Sequence, residues 1–150
     1  MQFSELTAAA NLSVLQLRAA FRELGFPDGL PAATVELGPE ACLGFRIYQL
    51  LQRLPELAVE QKMLLFGEVA KDLPVVANCL QQGKPALLVI ADGRWALWTT
   101  RRGWLELDTG NTCTDNVSAF VTVAYNLQRL YEESPDAEIP RANRSIPDGL

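Results

Sequence analysis

The chain has 150 residues, 49% of them hydrophobic, no histidine, a formal net charge of −5 and a pI near 4.7. That length can bury a core without metal or disulfide staples. Its acidity argues against DNA or an anionic membrane as partner, because phosphate contacts need clustered Lys and Arg, and Arg101 with Arg102 is the only adjacent basic pair.

The missing histidine removes the commonest general base, every Ser-His or Cys-His nucleophile pair and the commonest zinc ligand. Cys42, Cys79 and Cys113 are scattered without metal spacing, which reads as reduced thiols in a cytoplasm, with no cofactor and no metal. The longest apolar runs are too short to span a bilayer. The opening MQFSELTAAANL has an early acid, no basic region and no apolar core, so it does not read as a secretion signal.

Residues 4–24 read as helix. Val14, Leu17, Phe21 and Leu24 repeat at helical spacing, and Ser13 with Gln16 forms a capping-box pattern that places a break near residues 11–13. Gly25 is a natural stop, followed by a loop holding Pro27, Gly29 and Pro31. Residues 32–37 form a short strand candidate. Residues 41–48 fit strand or helix, and strand is preferred because Gly38-Pro39 looks like a turn joining them to the preceding strand. Residues 62–69 (KMLLFGEV) read as a strand, and residues 72–82 as a short helix with Leu73, Val76 and Leu80 on one stripe.

Residues 84–108 then form an antiparallel meander containing all three tryptophans, Trp95, Trp98 and Trp104. Asp92-Gly93 is the dipeptide that a two-residue hairpin turn prefers, and residues 101–103 make a second turn. After a polar turn, Asp115 or Asn116 caps a long final helix to Glu133, with Phe120, Val123, Ala124, Leu127, Leu130 and Tyr131 inward. Residues 134–150 read as a disordered tail after a single domain of residues 1–133. The fold class is α+β: an antiparallel sheet flanked by an N-terminal helix, a short middle helix and a long C-terminal helix.

Candidate chemistry is thin. Asp92, Asp108 and Asp115 could form a carboxylate cluster, yet a turn, a strand end and a helix cap explain them one by one. Residues 5–26 resemble a helix-turn-helix, but the second helix offers only Gln16, Arg18 and Arg22 to a nucleic acid. The hairpin has some likeness to the peptidase-like domains of secretion transporters. Without histidine it could not act as one, and Cys42 would be a nucleophile lacking its base.

Residues 4–133 resemble the class I chaperones of type III secretion, the CesT/SycE-like family. The likeness rests on Leu24-Gly25-Phe26-Pro27 before Leu30-Pro31, on residues 63–69 (MLLFGEV), on residues 73–83, on ALLVIADGRWALW, and on VSAFVTVAYNLQRLYEE. The longer, apolar segment 49–60 and a third strand after the short helix depart from that pattern. The resemblance implies a cytoplasmic homodimer, not an enzyme, that holds the N-terminal region of a secreted effector export-competent. Leu73, Val76 and Leu80 would then form the dimer interface, and Phe45, Ile47, Leu65, Trp95 and Trp98 would meet the client. Strand parity puts Trp95 and Trp98 on opposite faces, so one of them is expected to point away from the core. A small acidic adaptor or transcriptional regulator with a helix-turn-helix-like segment is the alternative.

Overall fold

The computed structural model describes residues 1–55, 57–91, 94–107, 121–132 and 138–140. The fold is α+β with an antiparallel sheet, as the order of elements in the sequence implies. The chain divides into two compact units, Met1–Leu73 and Pro74–Leu150.

In the first unit, α1 (Phe3–Thr7) and α2 (Val14–Glu23) are separated where the capping pattern places the break. The Gln16 amide donates to Ser13 Oγ at 3.2 Å and the Ser13 amide donates to Gln16 Oε1 at 2.9 Å, so two orphan helix-end donors are satisfied reciprocally. At the other end Gly25 takes φ +104°, and the Phe26 amide donates to the Phe21 carbonyl at 2.9 Å. That is a Schellman closure, and the Phe21 and Phe26 rings, 6.0 Å apart, supply its usual apolar contact.

Three of the expected strands are absent. Residues 32–37 make no ladder: Ala32 to Val35 is a turn, and what remains docks on the N-terminal segment through one isolated bridge, Gln2 to Glu36. Residues 41–48 lie within α3 (Pro39–Gln52). Gly38-Pro39 opens this helix instead of turning between strands, because proline at the first helical position gives up an amide that would be unpaired anyway. Eight residues of α3 are buried, and only the narrow polar stripe of Arg46, Gln49 and the cap residue Arg53 marks its period.

Residues 62–69 are likewise helical, part of α4 (Val59–Gln81). Leu65, Phe66, Val69 and Leu73 turn inward at helical spacing while Leu64 stands out. The short helix expected over 72–82 is the second half of α4, which runs through Pro74. Pro74 is tolerated on the exposed side, where water can reach the Ala70 carbonyl that has lost its donor.

Gly44 lets the first unit close. A Cβ there would overlap a Leu24 methyl and come within 2.8 Å of Leu73 Cδ1, so both leucine ends sit where they do because α3 has a bare backbone at this position. Beside it Phe21 is enclosed by Phe3, Phe26 and Phe45 at ring-centroid distances of 5.1, 6.0 and 5.4 Å. Burial against the Phe66 ring pushes the Tyr48 phenol above its ordinary pKa.

The second unit is built on a five-stranded antiparallel sheet of order β3-β2-β1-β4-β5. The strands β1 (Ala86–Ala91), β2 (Arg94–Thr99) and β3 (Gly103–Glu106) are the expected meander, in the register Leu87–Trp98 and Trp98–Trp104. Asp92-Gly93 lies outside the described residues. The turn at 100–102 ends on Gly103 at φ +68°, and Thr99 Oγ1 accepts from the Arg102 amide at 3.1 Å.

The long closing helix is not found. Val121–Asn126 is β4, paired with β1, and only α5 (Leu127–Tyr131) is helical. Val121, Thr122, Val123 and Tyr125 are strand-favouring residues, and Asn126 starts the helix by accepting from the Gln128 amide at 3.0 Å. Asp115 and Asn116 lie outside the described residues. Within the expected tail, Glu138–Pro140 forms β5 against β4 at the edge of the sheet, where proline is tolerated.

Phe21 is fully buried at the centre of the aromatic cluster. Phe21→Ala should lower stability by about 3–5 kcal/mol in urea unfolding. The exposed control Val14→Ala should stay within about 0.5 kcal/mol of the parent.

Candidate functional site

β1 reads ALLVIA, with no polar side chain to offer water on either face. On one face Leu87, Val89, Ala96, Trp98, Trp104 and Ala124 form a single buried cluster, with the Trp98 and Trp104 rings 6.4 Å apart. On the other, Trp95 stacks on Tyr125 with centroids 6.2 Å apart and planes 6° from parallel, beside buried Leu88 and Leu97. Strand parity does put Trp95 and Trp98 on opposite faces, but neither points into solvent. The expectation of an open face is corrected for that reason: an all-apolar central strand has both its faces shielded.

The other expected contact residues are also buried. Phe45 and Ile47 are interior positions of α3, and Phe45 packs on Phe21. Leu65 is on the inward face of α4. Leu73, Val76 and Leu80 do share a helical stripe, and all three side chains are buried within the single chain. The structure therefore groups Trp95 and Trp98 on β2 and leaves the remaining residues apart in the interiors of helices.

Polar groups offer little chemistry. The indole Nε1 atoms of Trp98 and Trp104 are buried and find no acceptor among the described residues, a cost of about 1–3 kcal/mol each. Cys42 donates weakly to the Leu37 carbonyl at 3.8 Å, and Cys79 lies 3.8 Å from Thr100 Oγ1; both thiols are buried. Among the described residues no group of three His, Cys, Asp or Glu could hold a metal, and no helix is long and apolar enough to cross a membrane. The carboxylates Asp92, Asp108 and Asp115, and Cys113, lie outside the described residues.

What stands outward instead is helical. Val14 and Leu15 on α2 are 56% and 76% exposed, and Val59 and Leu64 on α4 are each 72% exposed. Val14 was expected inward with Phe21, but α2 turns it out and buries Ala20 and Phe21. The position of Leu15 was readable beforehand: it shares a face with Arg18 and Arg22 at i+3 and i+7. Leu64, inside the run KMLLFGEV, gave no such signal until that run proved helical.

No family model, no characterised protein and no solved structure matches this chain.

With both tryptophans of β2 buried, Trp95→Ala and Trp98→Ala should each destabilise by about 3–5 kcal/mol in chemical denaturation. Neither should behave as a surface change. Val76→Asp places a carboxylate at a fully buried position, and circular dichroism should show an unfolded chain, not folded monomers.

Proposed function

We propose that this chain is a non-enzymatic cytoplasmic binding protein, a chaperone of the type III secretion kind that keeps the N-terminal region of a secreted effector export-competent. The observation that carries the reading is the set of four large apolar side chains, Val14, Leu15, Val59 and Leu64, each more than half exposed on helices of the Met1–Leu73 unit. These side chains are the surface that this reading assigns to client contact. The chain has no imidazole, and the described thiols are buried. Client contact then belongs to helix surfaces, not to the tryptophan sheet. A homodimer, part of the same reading, would use side chains other than Leu73, Val76 and Leu80, which are committed to the interior.

The test is co-expression with an N-terminal fragment of the secreted protein encoded beside this chain, followed by affinity capture. The parent should retain the fragment. The double variant Leu15→Asp, Leu64→Asp should keep the parent's melting temperature and lose capture by about tenfold or more, since an anchor in a contact patch is worth about 2 kcal/mol or more. Undiminished capture by that variant would remove the helix surface from the reading, and no capture by the parent would remove the chaperone reading itself.

A further inference from the structure

The outer side of α2 brings exposed apolar and basic side chains together. At about 100° per residue, Leu15, Arg18 and Arg22 fall along one line of the helix, and Val14 lies beside Arg18 one turn away. All four side chains are exposed. Neither arginine makes an ion pair or hydrogen bond with any described residue. The acid nearest on the helix, Glu23, lies about a quarter-turn round the helix from Leu15 and Arg22. A chain of net charge −5 therefore presents, on one ten-residue helix, an apolar-basic stripe free of carboxylates.

The stripe is also held rigid. The Ser13–Gln16 box fixes its first turn, the Phe26-to-Phe21 bond fixes its last, and buried Ala20 and Phe21 anchor the opposite side. A pre-ordered surface loses less entropy on binding.

We propose that this stripe of α2 docks an acidic amphipathic helix, a peptide segment carrying leucine-like side chains at i, i+3, i+4 and i+7 with glutamates along their margins. The apolar residues of such a segment cover Val14 and Leu15, and its carboxylates reach Arg18 and Arg22, for which guanidinium–carboxylate geometry is well matched. Nucleic acid and anionic bilayers fit less well. Two arginines neutralise few phosphates, and the net charge of −5 opposes approach to a polyanion. One ten-residue stripe makes a small contact, so the complex is transient and sensitive to salt. The inference rests on the binding reading above for its exposed apolar residues, but not on the client being a secreted protein.

The experiment measures fluorescence anisotropy of a labelled synthetic helix of that pattern with glutamates, and of its lysine counterpart, against the full chain. Labelled duplex DNA and vesicles containing phosphatidylserine are run beside them. The glutamate peptide should bind and the lysine peptide should not. Binding should weaken about tenfold in R18E/R22E and in L15D, and should fall steeply between low and high salt. R18K/R22K should retain part of it. All of these positions are exposed, so melting temperatures should match the parent, and if a reversal variant fails to fold, the salt dependence and the lysine control on the parent decide.

Equal binding of both peptides, unchanged binding by R18E/R22E, binding only to DNA or vesicles, or no binding at all would each overturn the proposal. If a secreted fragment is captured but capture ignores R18E/R22E, the chaperone reading stands and this inference fails. If the peptide binds but no secreted fragment is held, the reverse is true.

Discussion

Strand β1 sits in the middle of the five-stranded sheet, paired with β2 on one side and β4 on the other, and carries no polar side chain. Burying apolar area contributes about 25 cal/mol per Å². A central strand of Ala, Leu, Val and Ile therefore favours states in which both of its faces are kept from water. The neighbouring strands comply: Trp98 and Trp104 complete one buried face, and Trp95 with Tyr125 completes the other. Among the described residues, neither tryptophan of β2 is left open to a client. The same constraint moves any binding role to the helices, where Leu15 and Leu64 remain in solvent.

The helical unit depends on a different economy of space. Gly44 lets Leu24 and Leu73 approach the backbone of α3, and Phe21 fills the region among Phe3, Phe26 and Phe45. With Phe21 turned in, helical geometry leaves Leu15, Arg18 and Arg22 turned out. The outward stripe follows from the inward anchor, and the caps at Ser13 and Gly25 hold it in place.

The sequence was most legible where a local signal had a single physical solution. The Ser13–Gln16 box, the stop at Gly25 and the turn into Gly103 all appear as their residue types imply. The meander is legible for the same reason, since β-rich runs separated by turn residues have few alternatives. Legibility failed where the helical period is blurred by a wide apolar face or an outward leucine. In residues 41–48 the polar stripe is narrow, Arg46 continued only by Gln49 and Arg53, and in 62–69 the apolar Leu64 stands on the outward side, so short apolar runs within them pass for strands. It failed also in residues 121–126, where helical spacing and β-branched composition compete and pairing with β1 decides. For the candidate site, one assumption about exposure did not hold. Parity correctly separated Trp95 from Trp98, but an exposed face was assumed for a sheet whose central strand has none.

All three tryptophans of the protein lie in this sheet, so tryptophan emission reports on the sheet alone. Iodide quenching of that emission, measured before and after capture of a partner, tests most directly whether the sheet is closed and the helices do the binding. A closed sheet gives blue-shifted emission, weak quenching in the free chain and no change when the partner is held. Strong quenching in the free chain that the partner relieves would show an open tryptophan face at work, and would contradict the placement of the binding surface on α2 and α4.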